Sequence, residues 1–371
     1  MPEPSISLLW ALRSRCTRGC RYCYCGTIEE HRASAPAAAG SLSHLSPDDI
    51  TIGEAVAFAS SLRGSAVKRV FLAGGEPLAW KPSLQVVAAL KQVGTEVVVC
   101  TDGTALNKPE VTGRLLELDV DAVSVSLDSA DAAYNDRWRP ALNRRDGWDS
   151  VTAGIRALLA ARGGRPRPLV GLYTVITRLN LPEITAVPRL AASLGCDYAV
   201  PQPVSLTPDH QLAPVLALTP ADIPQLLAQY EELYAGGLPL GLPEPDYPGR
   251  VAASVAHPAG LVRGCFGGHT LYFIEPDGSV WDCPSALRIA ATPAAARRSI
   301  RGQDGAAMFG APRGCPRDCA LFSADCVCMW PLTGFTEMTG AAAAGGRTAL
   351  PVVPLEPRPA FPVPCEPARN M

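Results

Sequence analysis

Nowhere in the 371 residues does an apolar run approach the roughly 20 residues that a membrane span needs. The N-terminus, MPEPSISLLWALR, also has no basic stretch ahead of its apolar one. Neither a span nor a secretory signal is indicated, and the expected location is the cytoplasm. There is no basic excess: 33 Lys and Arg against 35 Asp and Glu leave a formal net charge of -2, so neither nucleic acid nor an anionic membrane is expected as the main partner. Internal repeats are absent too, and low complexity is confined to an Ala/Gly run at 340–346 and a Pro-rich tail at 349–368.

What is abundant is apolar residue, 47% of the chain, which suffices for a folded core, and cysteine. Thirteen cysteines in a reducing compartment read as metal ligands and not as a disulfide framework. They fall into two groups: Cys16, Cys20, Cys23 and Cys25 near the start, and Cys265, Cys283, Cys315, Cys319, Cys326, Cys328 and Cys365 near the end. Cys100 and Cys196 lie between, each beside a strand-like run, and read as buried core thiols.

Between the groups, β-branched or apolar runs at 6–12, 69–73, 96–100, 122–127, 169–176 and 197–204 alternate with helical stretches. The first helix is expected after Ser46 as N-cap, with Pro47, Asp48 and Asp49 in its first turn and Gly64 past its end. Others are expected near 82–93, 107–118, 148–162, 181–194 and 219–235. Such alternation implies βαβ units and a parallel sheet. Six units are too few for a closed eight-fold barrel, so the fold class is α/β, a partial (β/α)6 TIM-like barrel with a small C-terminal β-hairpin and cysteine-rich domain. The divisions are 1–205 for the core, 206–260 for a bridging helix and loop, and 261–371 for the cysteine-rich part.

The first cysteines follow the first strand, and in α/β barrels the loops at the carboxyl ends of strands hold the chemistry. Cys16, Cys20 and Cys23 spell C-x3-C-x2-C, with Tyr22 before the last. A zinc site wants a closed set of four ligands in paired spacing, which this loop lacks. Followed by F-L-A-G-G-E-P at 71–77 at the end of the second strand, the loop resembles that of the radical S-adenosylmethionine (radical SAM) enzymes. The resemblance implies a [4Fe–4S] cluster on Cys16, Cys20 and Cys23 with one iron left open for the cofactor's methionine. One electron then cleaves S-adenosylmethionine to a 5′-deoxyadenosyl radical that abstracts a substrate hydrogen. It also implies cofactor contacts from Gly74, Gly75 and Glu76, from Ser126 and Asp128 in V-S-V-S-L-D-S, and from Asn180. C-T-D-G-T at 100–104 departs from the family's T-N-G-T by carrying Asp102 for Asn. Cys25 is read as a bystander.

The C-terminal cysteines resemble the auxiliary-cluster domain called SPASM, or its shortened form, twitch. Cys265, Gly278 and Cys283 match the opening C-x(9 to 15)-G-x4-C, while the later spacings differ. Carried over by position, Cys265, Cys283 and Cys328 would hold a nearer auxiliary cluster, and Cys315, Cys319, Cys326 and Cys365 a farther one. A single cluster on Cys265, Cys283 and two of the later four is the alternative, and a zinc module a third.

The substrate is less determined. Relatives modify ribosomally made peptides or small molecules. The 15 residues before Cys16 leave no room for the leader-binding domain that many peptide enzymes carry, so a small metabolite (sugar, aminocyclitol or nucleoside) in natural-product biosynthesis is expected over a peptide. Oxidation, epimerisation and decarboxylation all remain open, with flavodoxin or ferredoxin as one-electron donor. No catalytic residue is assigned. Substrate-facing candidates are Glu29, Glu30, His31, Arg137, Arg139, Gln202 and His269. A non-enzymatic iron–sulfur scaffold or redox sensor is the alternative that GGEP and the open-site cysteine count oppose.

Overall fold

The computed structural model describes residues 5–23, 48–207, 209–258, 260–314 and 316–343. Six parallel strands, β1 (Ile6–Arg13), β2 (Val67–Gly74), β3 (Glu96–Thr101), β4 (Ala122–Ser126), β5 (Leu169–Ile176) and β6 (Tyr198–Pro203), lie side by side in chain order. Helices α1 (Ile52–Ser61), α2 (Ser83–Gln92), α3 (Pro109–Glu117), α4 (Ala132–Trp138), α5 (Trp148–Arg162) and α6 (Ala186–Leu194) connect them, and α7 (Ile223–Ala235) and α8 (Tyr247–Ala256) follow β6. This is the partial barrel that the alternation implies.

The strands read as nearly continuous apolar runs because both faces are covered. On one face Ile6, Leu8, Trp10 and Leu12 of β1, with Val70, Leu72, Val97 and Val99, pack beneath the helices. On the concave face Phe71, Val98, Ala122, Tyr198 and Val200 form a second core. Its other half comes from α9 (Ala324–Thr333) and α10 (Phe335–Ala343), through Cys328, Met329, Leu332, Phe335 and Met338. Phe335 meets Phe71 and Tyr198 edge-on, with ring centroids at 5.4 and 5.3 Å. Arg69, buried in β2, lies 4.9 Å above the Phe335 ring and donates to Thr336 Oγ1 at 2.8 Å.

The sequence reading placed no helix at 324–343. Helix α9 of that segment is buried on nearly every side, and such a helix has no polar stripe to betray it. The first helix also starts later than expected. Its N-cap is Thr51, in a reciprocal box with Glu54, while Asp49 turns away to accept from the Ser14 amide and hydroxyl. Ser46 and Pro47 lie outside the described residues. Cys196 is buried as expected, but Cys100 is half-buried on the concave face.

The C-terminal hairpin does not stand apart from the barrel. Strand β8 (Leu271–Ile274) pairs in parallel with β1, and β9 (Ser279–Trp281) and β10 (Arg298–Ser299) continue the same nine-stranded sheet, while β7 (Val262–Cys265) and β11 (Arg317–Cys319) make a separate two-stranded ribbon. Among the described residues no helix is long and apolar enough to cross a membrane.

Phe335 is 3% exposed and wedged between two aromatic rings. Phe335→Ala is expected to cost about 3–5 kcal/mol, read as a lowered urea midpoint. A midpoint within error of the wild type would mean that α10 is not part of the cooperative core.

Candidate active site and its thiol clusters

The loop carrying Cys16, Cys20 and Cys23 is zipped to its surroundings by backbone. Gly75 and Glu76 amides donate to Arg13 and Arg15 carbonyls at 2.7 and 2.9 Å, and Gly19, Arg21 and Leu142 exchange bonds across the segment 138–142 with Pro140, Trp138 and Thr17. This explains the paired glycines. A Cβ on Gly75 would fall 1.9 Å from the Arg15 carbonyl oxygen, and one on Gly74, whose φ is +123, would fall 2.6 Å from that of Arg13. The approach they permit is to the cysteine loop itself.

Side chains complete the anchoring. Arg18, inside the C-x3-C gap, is 4% exposed. Its guanidinium reaches Asp102 at 3.4 Å, Thr104 Oγ1 at 3.0 Å and the Arg139 carbonyl at 3.3 Å, and Thr17 also donates to Asp102. Asp102 is thus the acidic partner of a buried cation, a reason for Asp where the family has Asn. Sequence reasoning missed Arg18; the departure at Asp102 was the available signal.

Glu76 is 2% exposed and accepts from the Leu78 amide at 2.9 Å, Thr101 Oγ1 at 2.8 Å and the Asp102 amide at 2.5 Å. Burial, then the charge of Asp102, pushes its carboxyl from about 4.5 up to about 8. An ammonium group beside it would favour the ionised form and draw the pKa back down, which suits the methionine end of S-adenosylmethionine. Asp128 is buried and accepts from Tyr22 at 2.6 Å, Arg139 at 3.0 Å and the Val175 amide at 2.8 Å. Asn180 donates to the Asp128 and Val175 carbonyls and accepts from Thr177. Both are committed to bonds within the protein, whereas Ser126 is half-buried at the carboxyl end of β4. Arg139, expected to face substrate, is instead the counter-ion of Asp128. Arg137 is exposed, with its guanidinium 5.5 Å over Trp138; Gln202 is half-buried at the end of β6, and His269 meets the Arg313 carbonyl at 3.3 Å. Cys25, Glu29, Glu30 and His31 lie outside the described residues.

The Cys16 thiol is held well above its ordinary range by burial, with Cys20, Cys23 and Glu76 pushing it further up. Cys20 is pushed up to about 11, mainly by burial and despite the opposing charges of Arg139 and Arg18. Thiols in such surroundings become thiolates when a metal supplies positive charge. Three thiols on one loop flanked by two guanidinium groups therefore fit an anionic thiolate-bound cluster.

A second thiol set lines a single pocket: Cys265 at the end of β7, Cys319 at the end of β11, Cys283 after β9 and Cys326 in the first turn of α9, with Arg288 and Asp325. Burial raises the Cys265, Cys283 and Cys326 thiols, and each also feels another thiol of the set. Asp325, 5% exposed, accepts from Ser205 and the Ala286 amide, tying the pocket to the end of β6. The grouping of Cys265, Cys283 and Cys328 is not what the fold assembles. Cys328 stands two residues after Cys326 on one helix, where side chains diverge, and its thiol donates to the Pro203 carbonyl at 3.4 Å within the concave core. Cys315 and Cys365 lie outside the described residues. Among the described residues no three His, Cys, Asp or Glu converge on a point that one metal ion could take. A cubic cluster instead binds each thiolate at a separate iron, and so suits ligands spread around a pocket.

The Radical SAM superfamily profile matches residues 12–190. The chain carries a radical SAM superfamily domain over these residues. It is an enzyme whose cofactors are a [4Fe–4S] cluster and S-adenosylmethionine. It is 26% identical over 290 residues to AdoMet-dependent heme synthase of Methanosarcina barkeri, covering 74% of this chain and 76% of that one. It is 29% identical over 289 residues to mycofactocin maturase MftC of Mycobacterium ulcerans, covering 77% and 70%. Among solved structures, Streptococcus suis SuiB bound to precursor peptide SuiA shares the fold with TM-score 0.59 at 13% identity, over 83% of this chain and 65% of that chain. Native anSMEcpe with bound AdoMet and Cp18Cys peptide does so with TM-score 0.56 at 15% identity, over 92% and 99%.

These findings correct the preference for a small-molecule substrate. A maturase aligns with three-quarters of the chain, and two of the structures sharing its fold hold peptides.

Arg18→Ala strands Asp102 in the interior and is expected to cost about 3–5 kcal/mol, with loss of iron from the loop cluster on gel filtration. Full iron retention at unchanged stability would contradict that role. Glu76 gives a pH signature. From about pH 4.5 to 8 the folded protein holds a proton that the unfolded chain has released, so stability falls as pH rises through that window and levels off above it. Glu76→Gln should flatten the decline in Tm; equal slopes in the two proteins would exclude the raised pKa.

Proposed function

We propose that the chain is a peptide-modifying radical SAM maturase with one auxiliary [4Fe–4S] cluster, held by Cys265, Cys283, Cys319 and Cys326. The observation carrying the cluster count is that these four thiols line one pocket while Cys328 is turned into the concave core. The likeness to a maturase over 77% of the chain supports the substrate class. When bound on Cys16, Cys20 and Cys23, the loop cluster and S-adenosylmethionine supply the electron and the 5′-deoxyadenosyl radical that removes a hydrogen atom from one residue of the peptide, in the reducing cytoplasm.

The chain's own residues set where this happens. Arg18, Asp102 and the Gly74–Gly75 contact fix the cysteine loop across the ends of β1, β2 and β3. Glu76 complements the cofactor's ammonium, and Ser126 offers a hydroxyl at the end of β4. Asp128 and Asn180 act on the cofactor through the shape of the mouth, by holding Tyr22, Arg139 and the end of β5 together. Arg288 balances the negative charge of four thiolates at the auxiliary pocket.

Iron and sulfide after anaerobic reconstitution test the count. The wild type should hold about 8 irons per chain, the Cys16→Ala/Cys20→Ala/Cys23→Ala variant about 4, and a Cys283→Ala/Cys319→Ala variant also about 4. A wild-type value near 12, or one unmoved by the second variant, would sink the single-cluster reading. Incubation with peptides encoded by short reading frames adjoining its gene tests the substrate class by a mass change.

A further inference from the structure

Two tyrosines stand on the concave face one layer apart, and only one finds a hydrogen-bond partner among the described residues. Ser124, Gly171 and Tyr198 are direct neighbours across β4, β5 and β6. The Tyr198 hydroxyl shares a 2.7 Å hydrogen bond with that of Ser124. Gly171 between them makes this reach feasible, since a Cβ there would lie 2.1 Å from the Tyr198 ring. One layer nearer the carboxyl ends of the strands, Ser126, Tyr173 and Val200 are the corresponding neighbours. The Tyr173 ring meets Tyr198 edge-on at 6.5 Å, yet its hydroxyl oxygen is buried and, among the described residues, has no hydrogen-bond partner.

A buried hydroxyl without a partner costs stability that phenylalanine, of nearly the same shape, would avoid. Its position sets what could complete it: the layer of Ser126, on the side of the barrel where Glu76 and the cysteine loop meet. Burial also keeps the phenol well above its ordinary pKa, so it remains a proton donor and needs an acceptor oxygen.

We infer that Tyr173 is a substrate-binding residue whose hydroxyl donates a hydrogen bond to a peptide carbonyl held across the carboxyl ends of the strands; this rests on the peptide reading above. The same kind of acceptor exists on S-adenosylmethionine, in its carboxylate and ribose, and the test separates the two.

Wild type and Tyr173→Phe, both reconstituted, are compared by thermal midpoint and by calorimetric Kd for S-adenosylmethionine and for the gene-adjoining peptide that the wild type modifies. Tyr173→Phe should raise Tm by about 2 °C and leave the S-adenosylmethionine Kd unchanged. It should weaken peptide binding about five- to tenfold, with more 5′-deoxyadenosine released per modified peptide. Equal peptide affinity in both proteins overturns the inference. So does a weakened S-adenosylmethionine Kd, which would place the acceptor on the cofactor, or a lowered Tm, which would give the hydroxyl a partner within the protein. If the wild type cleaves S-adenosylmethionine but binds none of the peptides, the peptide reading fails and this inference falls with it, an outcome distinct from equal binding by both.

Discussion

Arg18 and Asp102 are both withdrawn from water and face each other at 3.4 Å, one on the cysteine loop and the other past the end of β3. Two buried charges are tolerated only when each finds the other with its remaining hydrogen bonds filled. Here Thr104, Thr17 and the Arg139 carbonyl do the filling. The loop cannot drift without stranding a charge, and this fixes Cys16 and Cys20 relative to the barrel. Glu76 shares the same ground, because the Asp102 amide donates to its carboxyl. Burial and then the Asp102 charge raise the Glu76 pKa, and that amide bond opposes them.

A second constraint acts from below. An open six-stranded sheet leaves a concave face that must be covered, and α9 and α10 cover it from the far end of the described chain. The same helix pair brings Cys326 to the auxiliary pocket and, two residues later, turns Cys328 into the core. The auxiliary pocket is consequently part of the barrel's own packing: β8 extends the β1 edge and Asp325 bonds Ser205 beyond β6.

Much of the barrel was legible because apolar, β-branched strand runs alternating with helices that keep a polar stripe announce themselves. β5 and α5 fall where the pattern puts them, at 169–176 and 148–162. Helix α9 was not, since burial on nearly all sides erases the stripe. At the site, the cysteine loop and GGEP were legible as motifs, but the reason for the two glycines was not. A 1.9 Å clash with Arg15 exists only once the loop has folded back over β2. Asp128 and Asn180, read as cofactor-facing from the resemblance, and Arg139, read as substrate-facing, are bonded to one another in the fold.

The sequence by itself determined the chemistry: three thiols at C-x3-C-x2-C, the glycine pair after the second strand, and a parallel α/β frame to carry them, because these depend on residue type and short spacing. Tertiary structure alone decided which distant thiols share a pocket. Spacing already paired Cys265 with Cys283, but only the strand pairings and a helix terminus bring Cys319 and Cys326 to the same pocket, because the later spacings match no pattern along the chain.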